Sequence, residues 1–113
     1  MSDDSSTQTD DLAGTVFELS DLVDYQTGAI VSRTLIDDEG GSVTVFAFDE
    51  GQNLSEHTAP HDALLQVFDG TAAVTLDGER HELEDGESIL MPADVPHAVD
   101  AVTSFKMALS MIR

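Results

Sequence analysis

The stretch GQNLSEHTAPHDALLQVFDG, residues 51–70, decides the reading of this chain. It holds two of the four histidines, His57 and His61, with a bend at Pro60 between them, then the apolar run 63–68. A run this short, closed by Asp69-Gly70, fits a strand and not a helix. Apolar residues stand on both faces of 63–68, which implies that the outside of its sheet is covered as well as the inside. A homodimer is the simplest cover. A second block, GESILMPADVPH, residues 86–97, brings His97 out of a turn that follows a short apolar strand.

Outward from these blocks the chain is punctuated like an all-β protein. Residues 29–36 are rich in β-branched side chains, Asp37-Asp38-Glu39-Gly40-Gly41 is a turn signal, and 42–48 alternates, so the two runs form a hairpin. Residues 71–76 alternate again, and Asp77-Gly78 turns them into 79–83, because Gly accepts the positive φ that such a turn demands. Asp85-Gly86 is another turn, 88–91 a short strand, and 105–112 a final one with Phe105, Met107, Leu109 and Met111 on one face. Residues 16–24 carry Phe17, Leu19, Leu22 and Val23, a pattern too short to separate a helical turn from a strand. Residues 1–14 are Asp, Ser and Thr with almost nothing apolar, and cannot offset their ordering entropy. The expectation is an acidic disordered tail at 1–14 and one all-β sandwich or barrel at 15–113.

Charge narrows the partners. There are 23 acidic residues against 4 basic ones, a formal net charge of −19, and Lys106 is the only lysine. Such a surface repels nucleic acid and anionic lipid. At about 1 M salt the screening length falls to roughly 3 Å and the self-repulsion largely disappears, so the composition reads as that of a halophilic cytosol. No apolar run is long enough to span a membrane, and the N-terminus lacks the basic-then-apolar order of a secretory signal, so a cytoplasmic protein is expected. With no Cys, a metal would have to use imidazole and oxygen ligands. There is no Gly-rich phosphate loop, hence no nucleotide cofactor, and no serine nucleophile elbow or basic stripe.

The two histidine blocks resemble the motifs of the cupin family, small jelly-roll β-barrels. The family's first motif runs Gly, five residues, His, one, His, three or four, Glu, six, Gly, and Gly51, His57 and Gly70 fall on its first, second and last anchors. Its second motif runs Gly, five, Pro, one, Gly, two, His, three, Asn. Here Gly86, Pro92 and His97 match, with Asp94 in the second Gly slot and Ala101 in the Asn slot. His-Thr-Ala-Pro, Met-Pro-Ala and Phe-Lys-Met look like a subgroup of small stand-alone members. The resemblance implies a cupin jelly-roll barrel and a divalent metal held in the barrel mouth by two histidines and a glutamate from the first motif and one histidine from the second. In this chain the second His slot is Ala59 and the Glu slot is Ala63, or Leu64 at the looser spacing. Only His57 and His97 carry over. His61 and Gln66, spaced like the family's second His and its Glu, suggest a shifted site.

If His57, His61, Gln66 and His97 converge, three imidazoles and an amide oxygen could hold Zn, Fe, Mn, Ni or Cu. Gln66 shares a face with Leu64 and Phe68, so the three would line the pocket together, with Met91 and Met107. Each residue has a plainer reading. His57 and His97 could be neutral histidines hydrogen-bonded in the mouth, and His61 a solvated loop residue beside Asp62. His81 reads as a solvated strand residue, and the methionines as adaptable core. Glu56 and Asp62 flank the histidines and could raise their pKa values or accept protons, although adjacent carboxylates are common on so acidic a chain. Three functions stay open: a metal cupin acting on a small polar molecule, a metal-free ligand-binding or sensing module, and a degenerate structural barrel.

Overall fold

The alternating runs fold as the hairpin signals require. The computed structural model describes residues 12–113; residues 1–11, most of the expected tail, lie outside them. The described strands are β1 (Ile30–Asp38), β2 (Gly41–Phe48), β3 (Asn53–His57), β4 (Asp62–Asp69), β5 (Ala72–Leu76), β6 (Glu79–Leu83), β7 (Ser88–Met91), β8 (His97–Ala101) and β9 (Phe105–Ile112). They form two antiparallel sheets, five-stranded in the order β1-β2-β9-β4-β7 and four-stranded in the order β3-β8-β5-β6. This is a single jelly-roll domain. Strands β3 and β8, which carry the motif histidines, are the two that the sequence pattern did not mark.

Turn chemistry fixes the joints. Asp77 and Gly78 take φ of 51° and 83° in the β5–β6 hairpin. Gly70, between β4 and β5, has φ of 77°, and a Cβ there would lie 2.0 Å from the Ser104 carbonyl oxygen. That anchor of the first motif is glycine because two chain segments touch at it. Asp49, after β2, accepts the Gly28 N–H at 2.6 Å and the Ser104 hydroxyl at 3.2 Å, tying the entrance of β1 to the β8–β9 turn. The Gly28 N–H is the main reason its carboxyl is held below the usual range.

The core lies between the sheets. Phe48 stacks on Phe105 at 4.6 Å between centroids, Phe46 tilts against Phe48 at 6.0 Å, and Val74, Val99, Leu65, Val67 and Met107 fill the space around them. In β4 the inward residues are Ala63, Leu65 and Val67. This corrects the expected pocket lining: Leu64 and Gln66 are exposed on the opposite face, and Phe68 packs into a second cluster outside the barrel. The run 63–68 is apolar on both faces, so alternation alone could not choose which side turns inward. Met91 and Met107, exposed by 3% and 1%, are core packing.

An arm covers part of the outer face of the five-stranded sheet. Residues 16–24, left open between helix and strand, form a short 3-10 turn at Leu19–Asp21 within otherwise irregular chain. Val23, Leu19 and Leu22 lie on Val45, Ala47, Ala108 and Phe68. Lys106, buried beneath the arm, donates to the Ser20 carbonyl at 2.7 Å, with its ammonium 5.1 Å from the centre of the Tyr25 ring. Tyr25 in turn donates its hydroxyl to Asp69 at 2.5 Å. Burial, then that hydrogen bond and the Asp69 charge, push the phenol's pKa well up.

Candidate functional site

Two cross-strand neighbours make the site. In the β3–β8 ladder Leu54 pairs with Val99 and His57 with His97, so three steps along β3 match two along β8. The extra residue is a β-bulge. Without it, the strict alternation of a strand would put Leu54 and His57 on opposite faces. With it, both meet the inward face of β8, where His97 alternates with buried Val99 and Ala101. His97 is 8% exposed and His57 is open to solvent, which puts the pair in the barrel mouth.

The rings are held in one orientation from behind. His57 Nδ1 lies 2.8 Å from the Ser55 carbonyl oxygen and His97 Nδ1 3.1 Å from that of Val95. A carbonyl only accepts, so each Nδ1 carries the hydrogen and each Nε2 presents its lone pair. Those two Nε2 atoms stand 3.1 Å apart, with ring centroids at 4.3 Å and planes at 66°. Two lone pairs facing each other at hydrogen-bond distance repel unless a positive centre lies between them, a metal ion or a proton. The backbone thus aims both rings at one point.

Hydrogen bonds stitch the two loops that carry the pair. Asp94 donates its N–H to the Ala59 carbonyl at 2.8 Å, and Ala93 donates to Asp62 Oδ1 at 2.8 Å. Asp94 has φ of 67°, the left-handed conformation that explains why the resembling motif has glycine in this slot. Asp62 therefore serves the loop junction.

The other sequence candidates are not gathered. Gln66 lies on the outer face, in register with Ser88 and Ala108. His61 is half-buried in the connection from β3 to β4, and no hydrogen bond or ring contact joins it to the pair. His81 Nε2 stands 3.8 Å from the Glu79 carboxylate on β6, a partly exposed contact, and Glu56 is exposed at the bulge. Among the described residues no group of three His, Cys, Asp or Glu is placed to hold a metal ion. The sequence reading missed the Ser55 and Val95 carbonyls. Their signal is that each lies two residues before its histidine.

The cupin domain family model matches residues 44–112, a span that begins inside β2 and ends with β9. The chain belongs to the cupin family. As a structure this cupin is similar to a conserved protein of unknown function from Streptococcus pyogenes, at TM-score 0.85 and 35% identity over 88% of each chain. It is also similar to a cupin 2 conserved barrel domain protein from Leptotrichia buccalis, at TM-score 0.83 and 39% identity, covering 86% of this cupin and 47% of that chain. Salicylate 1,2-dioxygenase from Pseudoaminobacter salicylatoxidans shares the fold at TM-score 0.71 and 20% identity, over 76% of this cupin and 27% of that chain. Among curated proteins none matches.

Proposed function

We propose that this cupin holds a divalent transition metal between His57 and His97 and binds or converts a small polar molecule at the open side of the pair. The observation that carries the reading is the pair of Nε2 lone pairs converging at 3.1 Å, each fixed by a carbonyl behind it. The fit can be tested on the distance. Two imidazole nitrogens at about 2.0–2.1 Å from one ion, at angles between right and tetrahedral, stand roughly 2.8–3.4 Å apart. A bound metal would supply Lewis-acid polarisation of a carbonyl or enolate oxygen. The protein's own part is to hold the imidazoles oriented, and to leave the exposed edge of His57 open for entry. With no carboxylate in the set, binding is weaker and more exchangeable than at a four-ligand cupin site. The proposal omits Gln66 and does not depend on His61.

The test is elemental analysis and calorimetric titration with Zn, Mn, Ni and Fe on protein purified from high salt without a histidine tag. One metal per chain is expected, with binding lost in His57→Ala and in His97→Ala while the circular dichroism spectrum is unchanged. Protein that takes up none of these metals overturns the reading. It would favour a metal-free module in which one proton between the two Nε2 atoms makes the pair cationic and able to grip a small anion.

The same reading makes the molecule a homodimer of a salt-rich cytosol, without nucleic-acid or membrane partners. The net charge of −19 supports the salt-rich setting and argues against polyanionic partners, while the exposed Leu64, Leu90 and Ile112 support the dimer; no described helix is long and apolar enough to cross a membrane. A melting temperature that climbs steadily with KCl is the expected result.

A further inference from the structure

The inner wall of β1 and β2 is lined with hydroxyls. Val31, Leu35, Val43, Val45 and Ala47 pack outward into the cluster under the arm. By alternation and register, Ser32, Thr34, Ser42 and Thr44 therefore share the inner face with Ile30, Phe46 and Phe48 of the core. Residues 49–52 fix which end of the fold they occupy. Asp49 donates its N–H to the Ala29 carbonyl at 3.1 Å and Gly51 to that of Ala101 at 3.0 Å, which ties the Phe48 end of β2 to the start of β1 and the far end of β8. The opposite end, the mouth, holds Thr34, Thr44 and Ser42 on one sheet and His57 and His97 on the other.

The fold leaves most of this polar capacity unused. The Oγ1 atoms of Thr34 and Thr44 stand 3.3 Å apart, one donating to the other, so a hydrogen and several lone pairs remain over. Among the described residues no side-chain hydrogen bond engages Ser32 or Ser42. Phe46, half-buried in register with Ser32 and Met107, adds an aromatic face at the foot of the wall. On the other sheet His97 is 8% exposed, and its Nε2 lone pair meets no donor.

We propose that the mouth receives a neutral polyhydroxylated molecule, a monosaccharide or sugar alcohol, with hydroxyls on Thr34, Thr44 and the flanking serines, a C–H face on Phe46, and oxygen directed at the histidine pair. The inference rests on the histidine pair being the site, and names the class of molecule it takes. The wall selects a neutral ligand. Threonine and serine hydroxyls donate and accept as sugar hydroxyls do, but they cannot compensate a carboxylate or phosphate drawn out of water. No basic side chain is placed to do so. Arg33 lies on the outer face in register with Val45, Lys106 is buried under the arm, Arg80 pairs with Glu82, and Arg113 is bound to Asp37 and to the carbonyls of Asp38 and Gly41. Glu79, level with His97 through Leu76, adds a carboxylate that repels an anion. At about 1 M salt the long-range field is screened, so these contacts decide.

The experiment is saturation-transfer NMR and titration calorimetry in about 1 M KCl, with and without ZnCl2, using D-glucose, D-xylose, D-fructose and D-sorbitol as probes and D-gluconate as their anionic counterpart. Thr34→Val/Thr44→Val removes both partners of one hydrogen bond at nearly constant volume, so the fold survives. Thr75→Val, on the outer face of the four-stranded sheet, is the control. Saturable binding of at least one neutral probe is expected, with gluconate at least about 10-fold weaker. The double variant should lose roughly 10-fold in affinity for that probe, with Zn uptake unaltered and the control unchanged. Zn uptake without binding of any neutral probe overturns this inference and leaves the metal reading standing, as does gluconate binding as tightly as the neutral probes. A double variant that binds like wild type overturns the hydroxyl wall. Threonine-dependent binding by protein that takes up no metal supports the wall and overturns the metal alone.

Discussion

Leu65 in β4 and His97 in β8 are both buried, at 0% and 8% exposure, yet their surroundings are built by different means. Around Leu65 the five-stranded sheet is a matter of apolar area, with a packed core on one face and the arm laid over part of the other. Burying one such side chain contributes about 1.5–3 kcal/mol, and neighbours of similar volume can trade places at modest cost. Around His97 little apolar surface is gained. The β3–β8 strip is set by a bulge, by one residue in a left-handed conformation and by carbonyls behind two rings. The difference teaches where this chain keeps its stability and where it spends some of it to fix a geometry.

That contrast can be broken first where the sheets join. Gly70→Ala puts a Cβ against the Ser104 carbonyl at a positive φ, and should cost about 3 kcal/mol or more in urea unfolding. It is a test of the frame, and metal uptake by whatever remains folded should be unaltered. Deleting Glu56 tests the strip instead. The deletion leaves His57 two positions after Leu54, still on the inward face by plain alternation, but makes Ser55 its immediate neighbour and so takes the Ser55 carbonyl from its place behind the ring; metal affinity should fall by at least about 10-fold in titration calorimetry, with little change in the urea midpoint. A loss of stability as large as that of Gly70→Ala would erase the distinction between the two regions.

How much of this could be read in the sequence follows the same division. The strands of the five-stranded sheet were visible as β-branched or alternating runs, and Asp77-Gly78 gave the β5–β6 hairpin by turn chemistry alone. The inward face of β4 was not legible, because Leu64, Gln66 and Phe68 alternate as plausibly as Ala63, Leu65 and Val67. What settled it was the arm, whose Val23 joins the outer cluster against which Phe68 packs, across a long stretch of chain. The meeting of His57 and His97, 40 positions apart, was suggested by motif spacing. The strands that carry them were not, since NLSEH is mostly polar and HAVDA too short to show a period. No periodicity rule reports a bulge before it exists.

Smaller changes sharpen the comparison. Asp94→Gly removes the strain of an L-residue at φ of 67° while keeping the N–H that bonds Ala59, and should raise stability by about 0.5 kcal/mol with metal affinity unchanged. Asp49→Asn addresses the frame's polar tie. The folded carboxyl titrates below its ordinary value of 3.8, so its contribution is present above that value and is lost as pH falls through the folded pKa. The variant should therefore be slightly less stable at neutral pH and show a shallower decline below about pH 4, read from melting temperatures across an acid series.

The single lysine has a practical consequence. Trypsin can cut this chain only after Arg33, Arg80 and Lys106 within its length. Arg80 is exposed beside a tight hairpin, whereas the Lys106 side chain is closed in under the arm by the Ser20 carbonyl and the Tyr25 ring. Cleavage after Lys106 thus requires the arm to lift and β9 to leave its ladder. The rate at which that fragment forms, set against cleavage after Arg80, gives a protease clock for the opening of the five-stranded sheet at its middle strand.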